Sequence, residues 1–262
     1  EGAASPTERA LGPRRVRSKK GWEHTQWIAP VATPLAAALQ PGALPRGFDA
    51  LEVPGANVVA DALARIQPEA GGAGGAGGPE VGRRRPAVVV DIETSGLGST
   101  IVPFIAALAW HENDRVRLEQ WTLIEPEAER EFLAAVFERL DTLVDPGTRL
   151  LSYNGASFDL PRLRTRANRL HLGASALSGG HLDLVVVARR LLKASLPNCR
   201  LSTLESEMLG LRRRGDMGGA EIAELWARMC DVPGFANDDV DAGAIDPFLL
   251  EDLAAAQVHN RG

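Results

Sequence analysis

Two short segments of this sequence set carboxylates at the ends of runs that ought to be buried. The first reads Val-Val-Val-Asp-Ile-Glu-Thr at 88–94, and the second Leu-Leu-Ser-Tyr-Asn-Gly-Ala-Ser-Phe-Asp at 150–159. Desolvating an unpartnered carboxylate is costly, so acids in such places call for a partner. Asp91 and Glu93 lie two apart on one expected strand, so their side chains point to the same face while Ile92 turns into the core. Asp159 falls at an expected strand-to-helix transition, where N-capping is an ordinary role that leaves an oxygen free for a metal. Brought together, the three acids would repel one another unless a cation neutralised them. Hard oxygen donors point to Mg²⁺ or Mn²⁺. Divalent ions held by acids point in turn to phosphoryl transfer on a nucleic acid.

The elements that must position these acids follow from pattern. The run at 87–91 is short, apolar and β-branched, as a central strand is. Two further runs, 104–110 and 116–124, flank Glu112, Asn113 and Asp114, a turn signal, and read as a hairpin. Phe132, Leu133, Val136, Phe137 and Leu140 have the spacing of an amphipathic helix over 127–143. Residues 149–153 form the next strand. A helix follows over 160–170 with Pro161 in its first turn and an apolar face of Leu160, Leu163, Ala167 and Leu170. Arg162, Arg166 and Arg169 line another face of that helix. Helices are also expected over 182–193, 201–209, 220–229 and 247–259. Helices around a mixed sheet make an α/β sandwich.

With these motifs in place, a family resemblance can be stated. Asp-Ile-Glu-Thr-Ser-Gly-Leu at 91–97 resembles the first motif of the DnaQ-like (DEDD) 3′–5′ exonucleases. Asn-Gly-Ala-Ser-Phe-Asp-Leu-Pro at 154–161 resembles their second. His-Leu-Asp-Leu at 181–184, Leu-Ser-Thr-Leu-Glu at 201–205 and Arg-Gly-Asp-Met-Gly-Gly at 214–219 follow in order. That series is similar to the YprB-type RNase H-like branch, found mostly in bacteria. The resemblance covers residue 86 to the end. It implies an RNase H-like fold with a mixed five-stranded sheet flanked by helices, beside a poorly defined N-terminal extension.

The resemblance also implies roles. Asp91, Glu93 and Asp159 would hold two ions, Asp91 bridging them at roughly 3.5–4 Å. His259 would orient or deprotonate the attacking water, a task suited to a side chain titrating near neutral pH; its plain alternative is a surface or core histidine. Thr94, Ser95, Gly96 and Leu97 would meet the terminal nucleotide, Gly96 being equally a tight-turn glycine. Asn154 and Phe158 would help to place the substrate strand, and Phe158 could equally be plain core. The family pattern sets a fourth acid four residues after His259, just past Gly262, so a domain truncated at its C-terminus is expected. Asp183 is expected to cap a helix; the role of Asp216 does not follow from the residues. The implied activity is 3′–5′ exonucleolytic hydrolysis of single-stranded DNA or RNA. An internally cutting endonuclease and a degenerate fold that binds nucleic acid or a protein partner are the alternatives.

Bulk properties are compatible with this. The chain of 262 residues is 45% hydrophobic and 24% charged, ordinary for a globular protein. A net charge of −5 argues against a protein that coats nucleic acid, but leaves room for local basic groups. Cys199 and Cys230 form no metal-ligand cluster, and a reducing cytoplasm is the natural compartment. No apolar run suggests a membrane span, and no secretory signal is visible. Three parts are expected: an N-terminal extension over 1–70, partly disordered; a glycine-rich linker over 71–85; and the nuclease-like domain over 86–262. Within the first part, residues 1–20 are polar and basic and read as a solvated arm, or as a tail that attracts phosphate. A short helix is plausible near 56–66. The triple arginine at 212–214 reads as an exposed loop that could also touch phosphates.

Overall fold

The computed structural model describes residues 14–19, 21–30, 87–96, 101–112, 115–145, 148–208, 210, 217–232 and 247–261. The helix expected near 56–66, the glycine-rich linker, Leu97, the triple arginine and Asp216 lie outside the described residues.

Among the described residues, seven strands form one mixed sheet: β1 (Arg14–Lys19), β2 (Trp22–Pro30), β3 (Ala87–Thr94), β4 (Pro103–Glu112), β5 (Arg115–Leu123), β6 (Arg149–Ser152) and β7 (His181–Asp183). Their order across the sheet is β1-β2-β5-β4-β3-β6-β7. Strands β3, β4 and β5 form an antiparallel meander, while β6 and β7 run parallel to β3. A parallel neighbour needs a crossover, and helix α1 (Glu129–Leu143) supplies the one between β5 and β6. Helix α2 (Asp159–Arg169) lies between β6 and β7, and α3 (Leu184–Leu192) starts directly after β7. Then come α4 (Leu201–Met208), α5 (Gly219–Cys230) and α6 (Pro247–Arg261).

The expected five-stranded sheet is present as β5-β4-β3-β6-β7, but it is extended by two strands from the N-terminal region. Strand β2 pairs along all of β5, from Trp22 opposite Leu123 to Pro30 opposite Arg115. The basic segment expected as a solvated arm supplies β1. Strand β2 lacks an apolar alternation because its inward positions are Trp22, His24 and Gln26, two of them polar. They are accommodated because Glu119, only 3% exposed, accepts from Gln26 at 2.7 Å and sits 3.1 Å from His24. Strand β7 has three residues, too few to show a period, and takes up the first two positions of the helix expected over 182–193.

The core follows the expected alternation. Val88, Val90 and Ile92 of β3 are buried, and Asp91 and Glu93 take the opposite face. The α1 stripe of Phe132, Leu133, Val136, Phe137 and Leu140 is buried as its spacing predicts. Each such side chain contributes roughly 1.5–3 kcal/mol when fully removed from water. Buried Arg166 on α2 is ion-paired with buried Glu129 on α1. It is therefore not part of an exposed arginine face, and this pair joins the two crossover helices instead.

Candidate active site at the end of the central strand

Asp91 and Glu93 belong to the last four residues of β3, where the sheet changes from antiparallel to parallel pairing. Clefts outside the carboxyl ends of strands at such a switch are where α/β sheets bind ligands. Register carries this face across the sheet. Asp91 and Glu93 pair with Ala107 and Ile105 of β4, which pair with Gln120 and Thr122 of β5. Helix α6 lies on that face, where its Gln257 carbonyl accepts from Gln120 Nε2 at 2.9 Å. From it the His259 Nε2 comes to 3.7 Å from Glu93 Oε1, with both side chains mostly buried.

Asp159 enters from the β6–α2 loop as the first residue of α2 and is 5% exposed. Burial pushes its carboxyl up to about 8, and the nearby charges of Asp91 and then Asp183 push the same way. Asp91 and Asp159, remote in sequence, are thus near enough for each charge to oppose the other. The loop that delivers Asp159 is built tightly. Asn154 takes a left-handed conformation, φ 71°. Its N–H and that of Ala156 donate to the two Asp183 oxygens at 2.6 and 3.0 Å. Gly155 is buried, and a Cβ there would come within 2.7 Å of Asp159 Oδ2. The absent side chain of Gly155 makes room for the Asp159 carboxylate.

The first-motif loop is ordered by its own polar groups. Buried Thr94 donates from Oγ1 to the Gly96 carbonyl at 2.9 Å. Ser95 exchanges backbone and side-chain bonds with Val102, both at 2.9 Å. Gly96 has φ 147°, a backbone that favours glycine although space around it is open. Phe158 is half-buried, with the Arg162 guanidinium 5.1 Å above its ring centroid.

The structure therefore brings Asp91 to Asp159 and Glu93 to His259. Among the described residues, no three His, Cys, Asp or Glu side chains are drawn into one metal-binding group. The donor chemistry nonetheless fits a divalent cation: a buried carboxyl lies within the field of a second acid, and a positive charge nearby would relieve their repulsion. Among the described residues no helix is long and apolar enough to cross a membrane.

The family model of the RNase H superfamily matches residues 88–232. The chain belongs to the RNase H superfamily. The YprB-type resemblance carried by the motifs is borne out as well, because the chain is 37% identical over 134 residues to the uncharacterised protein YprB of Bacillus subtilis. That alignment takes in 49% of this chain and 31% of YprB, so the chain spans about a third of that relative's length. Among solved structures, E. coli exonuclease I in complex with a dT13 oligonucleotide is similar with a TM-score of 0.37 and 21% identity, over 47% of this chain and 35% of that one. The family B DNA polymerase of Pyrobaculum calidifontis is similar with a TM-score of 0.47 and 16% identity, over 70% of this chain and 24% of the polymerase.

Within this RNase H-like domain, Asp183 does more than the expected capping, and Ser152 and Gln257 contribute to the site without having been expected there. Asp183 does cap α3, accepting from Val185 N at 3.1 Å, but the same carboxylate also folds the 154–156 loop. Ser152 receives the Gly155 N–H at 3.1 Å and stands 2.9 Å from His181 Nε2, whose ring burial holds below the usual imidazole range. Gln257, two residues before His259, ties α6 to the sheet. The Asp and His of the His-Leu-Asp motif were visible as a motif, whereas the glutamine gave no signal in one sequence.

Proposed function

We propose that this RNase H-like domain is a metal-dependent 3′–5′ exonuclease acting on single-stranded DNA or RNA. The observation that carries the reading is the approach of buried Asp159 to Asp91 at the end of β3, with His259 beside Glu93 on the same face. Burial, with Asp91 and Asp183 nearby, raises the Asp159 carboxyl to about 8, the kind of perturbation that marks working sites.

Asp91, Glu93 and Asp159 would hold two Mg²⁺ or Mn²⁺ ions. When bound, those ions supply positive charge against the scissile phosphate and make water acidic enough to attack at neutral pH. The chain's own groups do the rest. His259 holds the attacking water and takes its proton as the new O–P bond forms. The P–O3′ bond breaks, the 3′ oxygen takes a proton from solvent, and a nucleoside 5′-monophosphate leaves. Thr94, Ser95, Gly96 and Leu97 would border the terminal nucleotide, and Asn154 and Phe158 the strand behind it. Phe158 is suited to that work because a base can stack on an aromatic face irrespective of its identity.

The test uses the protein as encoded in its gene, with a 5′-labelled single strand as DNA and as RNA, in Mg²⁺ or Mn²⁺. The expected result is a ladder that shortens from the 3′ end and disappears with EDTA or with Asp159→Ala. Internal cuts would replace the exonuclease reading with an endonuclease. Binding without any cleavage would leave a nucleic-acid-binding module.

A further inference from the structure

We infer that Gln257, gripped by Gln120 and Thr122 of β5, is a positioning residue that sets the roll of α6 and thereby aims His259 at the catalytic face. The inference rests on the exonuclease reading and deepens it.

Helix α6 buries a stripe of Leu249, Leu253 and Ala256, at spacings of four and three residues. Such a stripe holds a helix against a sheet, but apolar contact is non-directional and fixes its rotation only loosely. Gln257 and His259 flank this stripe on opposite sides. At 100° per residue they are separated by roughly 160° around the helix axis. Gln257 therefore faces β5 on one flank while His259 emerges on the other, towards β3 and Glu93, which is 3.7 Å away.

The β5 flank is held by directional bonds. The Gln257 side chain donates from Nε2 to Thr122 Oγ1 at 2.9 Å, and its backbone carbonyl accepts from Gln120 Nε2 at 2.9 Å. Gln120 and Thr122 are each 2% exposed. Polar side chains at such positions are costly to bury without partners, so breaking either bond penalises any roll of the helix. Rolling α6 by one residue position would carry both bonds out of range and lift His259 from Glu93. The backbone bond fixes the height of Gln257 along the helix, and the side-chain bond fixes its angle.

The test is steady-state cleavage of a labelled single strand by the natural protein and its variants. Gln257→Ala and Thr122→Val should each lower kcat about tenfold with KM unchanged, while Thr122→Ser, which keeps the hydroxyl, should retain wild-type rate. The deciding measurement is the same pair of substitutions in a His259→Ala background. If the clamp acts through His259, Gln257→Ala there costs less than twofold. A penalty that multiplies in full, a rise in KM in place of the kcat loss, or wild-type activity of Gln257→Ala would overturn the clamp alone. A wild-type protein with no nuclease activity would overturn the function and the clamp together.

Discussion

Asp183 reaches back across 29 residues to accept the Asn154 N–H at 2.6 Å, and so the end of one strand folds the loop that follows another. Strands β6 and β7 are parallel neighbours, with Ser152 opposite Asp183 in register. The carboxylate therefore lies beside the turn it organises. Asp183→Ala removes the acceptor for three backbone N–H groups, those of Asn154, Ala156 and Val185. Groups that orient a ligand-bearing segment commonly cost about 10–100-fold when removed. We expect a loss of that order in cleavage rate for Asp183→Ala, and a smaller one for Asp183→Asn, which keeps one oxygen acceptor. Steady-state kinetics would check it; equal rates for the alanine variant and the wild type would show that the loop holds its shape alone.

The Asp159 carboxyl makes the metal-free protein sensitive to alkali. Its value rises from 3.8 to about 8, chiefly through burial and then through Asp91 and Asp183. The folded state therefore binds a proton that the unfolded state releases, and stability present below pH 3.8 is lost as pH rises towards about 8. In EDTA, the melting temperature should fall between pH 5.5 and 8.5 by about 5 °C more than for Asp159→Asn, which has no such proton to lose. Added Mg²⁺ or Mn²⁺ should raise the melting temperature more at pH 8.5 than at pH 5.5, because the cation competes with that proton. A cation effect that does not grow with pH would remove Asp159 from the ligand set.

Much of this domain was legible because its signals are local. The Val88, Val90 and Ile92 alternation, the α1 stripe and the two acidic motifs each occupy one short window, and each sits where the sequence predicts. The pairing of Asp91 with Asp159 was legible only through the motifs' resemblance, since 68 residues separate them. What stayed hidden depends on partners supplied by tertiary structure. His24 and Gln26 look like surface residues until Glu119 meets them, and Arg166 looks like a solvated cation until Glu129 does. Gln257 carries no periodic or motif signal, because its meaning comes from two polar residues on a strand far away in sequence.

Glu119 holds the N-terminal strands to the rest of the sheet. Its oxygens take Gln26 at 2.7 Å and Arg139 at 2.8 Å and lie 3.1 Å from His24, linking β2 through β5 to α1. Burial pushes this carboxyl up, but the bonds from His24 and Arg139 outweigh it, and the net shift is downward. A depressed acid contributes stability above its unfolded value of 4.5 and loses it as pH falls through the folded one. Glu119→Ala should cost about 2 kcal/mol at pH 7, below the usual figure for a broken buried pair because water reaches the Arg139 side. It should also flatten the loss of stability below pH 4.5. Urea denaturation at pH 7 and pH 4 would check both, and an unchanged midpoint at pH 7 would show that β2 is held by its backbone ladder alone.

Two arginines on α2 should respond in opposite ways to the same substitution. Arg166 forms a fork to Glu129, and both side chains are about nine-tenths buried. Arg166→Met leaves the Glu129 carboxylate buried without a cation, which typically costs about 3–5 kcal/mol. The double variant Arg166→Met with Glu129→Leu should recover most of that loss, because the remaining charge is removed with its partner. Arg162 differs: its Nε is buried with no acceptor among the described residues, and its guanidinium rests on the Phe158 ring. Removing an unsatisfied donor relieves roughly 1–3 kcal/mol of desolvation, against about 0.5–1 kcal/mol of lost ring attraction. Arg162→Met should therefore leave stability unchanged or raise it. Thermal unfolding of the two single variants side by side checks the contrast. A destabilised Arg162→Met would mean that its Nε finds an acceptor in solution, and an unaffected Arg166→Met would mean that Glu129 takes up a proton and tolerates its burial neutral.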